Sequence, residues 1–95
     1  MACIAVGILR GVKDEATFAE YRTIAADALA KHGGTIKIPP SPPTVLDGND
    51  APAAVVVLEF PDKESAEAWR NDPELASVHA MRNSGVDMDI LAVES

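Results

Sequence analysis

Two short segments of the sequence are apolar at almost every position, and this feature limits the folds open to the chain. In residues 2–9 and 53–60 the apolar side chains occupy both alternating sets of positions, so a strand formed by either segment has two apolar faces. A strand with one face in water alternates apolar and polar residues instead. We therefore predict a sheet whose strands in these segments are covered on both sides.

The first half of the chain supplies a helix and a second, weaker strand. Apolar residues recur at three- and four-residue steps between Asp14, a typical N-cap, and Gly33, a typical helix end, which predicts an amphipathic helix. Residues 35–38 alternate like a half-exposed strand, and the proline-rich residues 39–43 interrupt it. Because proline cannot donate a hydrogen bond to a neighbouring strand, we expect this strand at a sheet edge.

The second half supplies another helix and a last strand. A helix that carries Trp69 is predicted to stop and restart at Asp72 and Pro73, which suit an N-cap and a first helical residue. Residues 86–93 alternate as a strand. The order β-α-β-β-α-β predicts an α+β, ferredoxin-like domain over residues 1–95, a four-stranded antiparallel sheet with both helices on one face.

Such a fold leaves one apolar face of the sheet without cover. The two helices cover a single face, and no further segment of the 95-residue chain remains for the other. A second copy of the chain is the economical cover, because closed twofold assemblies are the commonest kind. We therefore expect a homodimer.

Composition argues against several classes of partner. The formal net charge is −7, with eight basic residues among fifteen acidic ones, which disfavours nucleic acid and anionic membranes. No stretch approaches the ~20 apolar residues of a membrane span, and residues 2–9 are too short for a secretory signal. Cys3 is the only cysteine, so no intrachain disulfide forms. We expect a cytoplasmic protein.

A set of short motifs, in this order and spacing, resembles one protein family. The motifs are Tyr21, Gly33-Gly34, Leu46-Asp47-Gly48, Val56-Val57-Leu58-Glu59-Phe60-Pro61, Ala66, Ala68-Trp69, Asp72-Pro73-Glu74-Leu75 and Arg82. Over nearly its whole length the chain resembles the domain-of-unknown-function 1330 family of the dimeric α+β barrel superfamily. The Glu-Phe-Pro strand end followed by Ala-x-Ala-Trp is the most specific part.

The resemblance implies two ferredoxin-like units that pack sheet against sheet. Superfamily relatives include cofactor-independent monooxygenases, lactone isomerases and haem enzymes, but the family has no agreed activity to carry over. The chain departs from the family pattern at Arg70, where members usually have Tyr, at Leu75, where they often have Tyr, and in its proline-rich second strand.

Two sets of residues are candidates for proton transfer or ligand anchoring. Glu59 interrupts an apolar strand, so it is either a proton acceptor or ligand anchor in a cleft, or a structural carboxylate held by Arg82 or a backbone donor. His79 and Arg82 share one helix side. They either hold an anionic or carbonyl-bearing ligand, with His79 as general acid or base, or form an ordinary surface pair.

Tyr21 and Trp69 are the only Tyr and Trp of the chain, and each either packs in the core or lines a ligand pocket. No pair among His32, His79 and Cys3 has metal-ligand spacing, and no phosphate loop or nucleophile elbow occurs. We therefore expect neither a metal nor a cofactor. Three functions stay open: a small-molecule-binding module, a cofactor-independent enzyme of the monooxygenase or isomerase type, and a structural dimerisation domain.

Overall fold

The backbone follows the predicted β-α-β-β-α-β order. The structure is a computed structural model that describes residues 2–95. Its strands are β1 (Cys3–Val12), β2 (Thr35–Ser41), β3 (Ala54–Phe60) and β4 (Val86–Glu94). Its helices are α1 (Glu15–Ala30), α2 (Lys63–Asn71) and α3 (Ala76–Gly85), with a short 3-10 helix at Pro73–Leu75. The antiparallel sheet has the order β2-β3-β1-β4, which confirms the ferredoxin-like α+β prediction.

Local hydrogen bonds explain where α1 begins and ends. The Asp14 carboxylate accepts a hydrogen bond from the Thr17 backbone N–H at 3.1 Å, as an N-cap should. At the other end Gly33 has φ 75°, a conformation that glycine adopts without steric cost. The Gly33 and Gly34 N–H groups donate to the carbonyls of Ala30 and Leu29. This pair of bonds is a Schellman motif, which satisfies carbonyls that the helix leaves free.

The second helical segment stops and restarts where the sequence predicts. Asp62 caps α2 by accepting from the Ser65 N–H at 2.7 Å, and Asp72 caps the 3-10 helix by accepting from the Glu74 N–H at 2.8 Å. Pro73 is the first residue of that 3-10 helix. Within residues 2–95, no helix combines the length and apolar character that crossing a membrane would require.

The proline-rich segment continues β2 instead of interrupting it. β2 lies at the sheet edge as predicted, but it runs through Pro39 and Pro40 to Ser41, with register shifts on either side of Ile38. An edge strand has one neighbour and can accept proline where no N–H is needed. The expectation that the prolines interrupt the strand was therefore wrong.

The two faces of the sheet are both apolar but differ in cover. Cys3, Ala5 and Leu9 of β1 lie beneath the helices and are buried. The alternate residues form the opposite face, which carries no helix, and register places Val6 between Val57 and Leu91 there. We call this surface the open face; its apolar residues are Ile4, Val6, Ile8, Ile38, Val55, Val57, Leu91 and Val93. Leu91 and Val93 remain 58% and 71% exposed.

The helices pack closely enough to bury part of α3. Gly85, its last residue, lies against α1, where an added Cβ would stand 2.9 Å from the Phe18 backbone nitrogen. The Gly85 carbonyl accepts hydrogen bonds from the N–H groups of Lys13 and Asp14. This close approach turns one side of α3 inward, and that side carries His79 and Arg82.

Candidate ligand-binding site

Four of the five predicted site residues meet between the helices and the sheet. Tyr21 comes from α1, Trp69 from α2, and His79 and Arg82 from α3. Trp69, His79 and Arg82 are all at most 4% exposed, whereas Tyr21 is half-buried. The alternative that His79 and Arg82 form a surface pair is therefore wrong, because the contact of α3 with α1 turns this side of the helix inward.

A chain of hydrogen bonds assigns the tautomer of His79. Its Nε2 lies 2.9 Å from the Trp69 carbonyl oxygen, so Nε2 must carry a proton and donate. This carbonyl is among the last four of α2, which lack partners within the helix. The other ring nitrogen, Nδ1, lies 2.9 Å from Arg82 Nη1. Because a guanidinium only donates, Nδ1 accepts and the imidazole is neutral.

The surroundings of His79 keep it in that neutral form. Burial is the main cause that lowers its pKa below the ordinary value, and the charges of Arg82 and Arg70 act in the same direction. The bond to the Trp69 carbonyl and the charge of Asp72 oppose the shift. Both ring nitrogens are thus engaged inside the protein, and His79 orients Arg82 rather than offering a free nitrogen to a ligand.

Arg82 is a buried cation without an acidic partner. No ion pair among residues 2–95 includes it, and its one hydrogen bond goes to His79. Its Cζ lies 5.6 Å from the Trp69 ring centroid and 5.9 Å from that of Tyr21. Such contacts offset part of the cost of burying a charge, by about 0.5–2 kcal/mol each.

Two buried N–H groups at this site have no acceptor. One is Nε of the Arg82 guanidinium itself, and the other is Nε1 of the neighbouring Trp69 indole. The indole itself is held by its neighbours: its ring centroid lies 5.7 Å from that of Phe60 and 4.6 Å from that of His79, with the imidazole nearly perpendicular. Buried donors are normally satisfied, so two unsatisfied donors on adjacent residues mark this place as unusual within the described chain.

Glu59 lies outside the cluster, and this corrects the expectation that Arg82 could hold it. Its β3 neighbours Leu58 and Phe60 are buried beneath the helices, so alternation places Glu59 on the open face. Its nearest basic group is Lys37 Nζ, 3.8 Å from Glu59 Oε1 on the edge strand. Glu59 therefore does not reach the space between helices and sheet where the other four candidates meet.

The cluster opens into a cavity of about 350 Å³ between α2, α3 and the sheet. Trp69 and Arg82 form part of its wall, and Ala5, Phe60 and Ile90 contribute apolar surface. Exposed charged residues stand at its rim, namely Glu67, Arg70 and Asp89. Arg82 is thus the buried charge of this cavity, which we call the polar compartment.

A second cavity of about 230 Å³ lies between α1, β2 and the sheet. Its wall includes Phe18, Tyr21, Pro40, Val56 and Leu58. Among the described residues, Arg22 alone brings a charged side chain to this wall, and its guanidinium lies over the Phe18 ring at 4.9 Å. We call this cavity the apolar compartment.

Tyr21 and Trp69 combine the two roles that the sequence left open. Trp69 belongs to the buried core and also lines both compartments. Tyr21 packs against a smaller buried cluster of Leu9, Phe18 and Val86, with its ring stacked 6.4 Å from that of Phe18. It also lines the apolar compartment. Core packing and pocket lining are not exclusive here, because the compartments are spaces that the core itself leaves open.

A surface network steadies the junction between α2 and the 3-10 helix. The Asp72 carboxylate contacts Lys31 Nζ at 2.7 Å and His32 Nε2 at 2.9 Å, both at the end of α1. The bond from Lys31 is the largest cause that lowers the Asp72 pKa, followed by those from His32 and the Glu74 N–H. His32 thus helps to tie α1 to the second helical segment.

The remaining reactive groups are the possible metal ligands and the single thiol. Across residues 2–95, no group of three or more His, Cys, Asp or Glu side chains is arranged to hold a metal ion. Cys3 is buried in β1, and this burial raises the pKa of its thiol, which leaves the thiol protonated and unreactive.

Sequence reasoning missed several residues of the cavity walls. Met88 and Ile90 of β4 line both compartments, and Pro39 and Pro40 border the apolar one. Alternation along β4 puts Met88 and Ile90 on the same face of the sheet, but only helix packing shows that this face is left partly uncovered. The prolines gave a signal for an edge strand and none for a pocket.

Solved structures share this fold across nearly the whole chain. RPA0582, a protein of unknown function from Rhodopseudomonas palustris, superimposes with a TM-score of 0.77 at 14% identity, over 99% of this chain and 82% of that one. A dimeric ferredoxin-like protein of unknown function from Jannaschia sp. CCS1 gives 0.73 at 13% identity, over the full length of both chains. SnoaB, a cofactor-independent oxygenase from Streptomyces nogalater, gives 0.69 at 11% identity, over 99% and 92%.

At these identities the likeness concerns the fold alone. No functionally curated protein matches the chain. A family described as "Domain of unknown function (DUF1330)" matches residues 5–95. The match agrees with the motifs between Tyr21 and Arg82 that resemble the family. Because it spans nearly the whole sequence, the chain belongs to this family.

Proposed function

We propose that this protein is a homodimer that binds a small anionic molecule between its helices and its sheet, with Arg82 as the anchoring residue. The observation that carries the proposal is the burial of Arg82, 3% exposed, without a carboxylate partner. An uncompensated buried charge costs several kcal/mol. An anionic ligand would recover that cost through charge-assisted hydrogen bonds.

The donors around Arg82 support an anion as the ligand. Arg82 Nε and Trp69 Nε1 both lack acceptors, and both residues line the polar compartment. A carboxylate offers several acceptor positions and can take two parallel bonds from a guanidinium. A small shift of either side chain on binding would bring these donors to the ligand.

The state of His79 favours binding over proton transfer. A general acid or base must have a nitrogen within reach of its substrate, but both His79 nitrogens are engaged, with the Trp69 carbonyl and with Arg82. The cofactor-independent enzyme therefore ranks below the binding module, since the fold shared with SnoaB is weak support for a shared activity. A purely structural domain would gain nothing from a buried, unpaired Arg82.

The open face supports the homodimeric part of the proposal. Ile4, Val6, Val57, Leu91 and their neighbours form a continuous apolar surface at the middle of the sheet. Exposed apolar surfaces of this kind commonly mark protein interfaces. The Jannaschia relative and a ferredoxin-like relative from Bacteroides fragilis are both described as dimeric.

Native mass spectrometry of the purified protein is the first test. We expect the mass of two chains, and added mass on that dimer if a ligand is retained during purification. A stable monomer at micromolar concentration would contradict the proposed dimer. A dimer without added mass would support the assembly, and ligand binding would then be tested with added ligands.

Titration with benzoate, monitored by calorimetry and by Trp69 fluorescence, tests the anchoring role of Arg82. We expect Arg82→Gln to weaken benzoate binding by roughly 10- to 100-fold, the range for losing a hydrogen bond to a charged group. Lys13→Gln is the control, because it removes one positive charge from the exposed surface outside both compartments and should bind benzoate like wild type. Wild-type protein that binds no benzoate, or equal binding by Arg82→Gln and wild type, would overturn the proposal.

A further inference from the structure

The polar and apolar compartments adjoin each other beneath the helices. Three residues, Trp69, Met88 and Ile90, line both of them. Met88 and Ile90 lie on the helix-facing side of β4, and Trp69 stands above them on α2. The compartments are therefore neighbours, and the side chains of these three residues stand between them.

Arg82 lies at the boundary between the compartments. It lines the polar compartment, yet its guanidinium carbon is 5.9 Å from the ring centroid of Tyr21, which lines only the apolar one. The Trp69 ring, 5.6 Å from the same carbon, borders both. A group bound to Arg82 thus has apolar surface within reach on the side of α1.

The two compartments differ in what they can bind. The polar one combines a buried cation with two unsatisfied donors. The apolar one is walled by aromatic, aliphatic and proline side chains, with Arg22 as its single charged residue in the described chain. A small inorganic anion would use the first and leave the second empty.

We infer that the ligand is an amphipathic monocarboxylate whose carboxylate is held by Arg82 and whose apolar chain or ring fills the apolar compartment. This inference rests on the proposed anion-binding function and names the chemical class of its ligand. Each buried methylene adds to affinity through the hydrophobic effect, whereas the carboxylate supplies the negatively charged partner that Arg82 lacks.

A series of straight-chain carboxylates tests the inference on the wild-type protein. The probes are acetate, butanoate, hexanoate and octanoate, with hexan-1-ol as the uncharged counterpart of hexanoate. We expect affinity to rise by about fourfold per methylene until the apolar compartment is full. Hexan-1-ol should bind at least about tenfold more weakly than hexanoate, because it cannot pair with Arg82.

A variant that fills the apolar compartment checks where the chain lies. Ala25 lines that compartment and not the polar one, so Ala25→Phe should flatten the chain-length series while acetate binding stays within about twofold. Ala25→Leu is the milder substitution if Ala25→Phe fails to fold, as judged by circular dichroism.

The outcomes separate the inference from the function beneath it. Arg82-dependent binding with no gain from acetate to octanoate would overturn the inference and keep the anion site. Equal binding of hexan-1-ol and hexanoate, unaffected by Arg82→Gln, would overturn both. A steep series in wild type that persists unchanged in Ala25→Phe would place the chain elsewhere and overturn the inference.

Discussion

The two faces of the sheet have similar composition and opposite fates. On the helix-covered face Cys3, Ala5 and Phe60 are at most 2% exposed. On the open face the alternate apolar residues of β1 and β3 are only half-buried, and Leu91 and Val93 of β4 stay more than half exposed. The difference arises from what lies above each face, because the strands themselves are apolar on both.

The comparison separates residues that hold one subunit together from residues available to a second. Burial beneath the helices stabilises the individual subunit by roughly 25 cal/mol per Å² of apolar surface. The open face contributes little until something covers it. Charge follows the same division: Glu59 reaches Lys37 on the open side, whereas Arg82 is enclosed on the covered side without an acidic partner.

The largest expected effect lies on the covered face. Trp69→Ala should lower the free energy of unfolding by about 3–5 kcal/mol, since it empties a buried position packed against Phe60 and His79. Urea denaturation at fixed protein concentration measures the change. Trp69→Phe, which keeps an aromatic ring, should lose less than half as much, and a near-neutral Trp69→Ala would mean that the indole is not part of the core.

A matched pair of leucines compares the faces directly. Leu58 is 6% exposed beneath the helices and Leu91 is 58% exposed on the open face. Leu58→Ala should cost about 2–5 kcal/mol of subunit stability, whereas Leu91→Ala should cost less than about 1 kcal/mol. Denaturation over a dilution series separates subunit folding from association. Equal losses in dilute protein would contradict the division between the faces.

A charge on the open face should break the proposed dimer without unfolding the subunit. Leu91→Lys places an ammonium between two copies of an apolar surface, where burial of an unpaired charge costs several kcal/mol. We expect monomers by analytical ultracentrifugation and an unchanged circular dichroism spectrum. The control is Glu20→Gln, which changes the net charge equally on the exposed surface of α1 and should remain dimeric.

The smallest effect is a pH dependence on the covered face. The folded pKa of His79 lies below its ordinary value of 6.5, so the unfolded chain takes up a proton near pH 6.5 and the folded chain does not. Stability should therefore fall as pH drops below about 6.5, by at most about 1.4 kcal/mol per pH unit, until His79 itself is protonated.

Denaturation at pH 7.5, 6.5 and 5.5 measures this fall for wild type and two variants. His79→Gln should remove it, and His32→Gln, which alters the surface bond to Asp72, should retain it. The groups that act on His79 are Arg82, Arg70 and Asp72, and they are present in both variants. A fall that survives in His79→Gln would assign the titration to another group.

Local sequence signals accounted for the elements and their ends. Asp14, Gly33 and Asp72 were predicted as helix boundaries, and each uses a hydrogen bond between residues close in sequence. The edge position of β2 followed from its prolines. Such features depend on a few adjacent residues, and so a single sequence is enough to read them.

The candidate site was harder to predict. Tyr21, Trp69, His79 and Arg82 do meet, but Glu59 was wrongly considered beside Arg82 although the alternation of Leu58 and Phe60 already assigned it to the other face. That error came from judging Glu59 by its chemistry before its strand position. The tautomer of His79 depends on the Trp69 carbonyl ten residues earlier, and no spacing rule predicts that contact.

What the amino-acid order decided is the set of strands, the helix caps and the presence of two apolar sheet faces, because these follow from neighbouring residues and from alternation. What tertiary packing decided is which face the helices cover, how close Gly85 lets α3 approach α1, and where the two compartments remain open. Those outcomes depend on side chains that lie far apart in sequence and come together only when the helices cross the sheet. Arg82 becomes a buried, unpaired cation only through that packing.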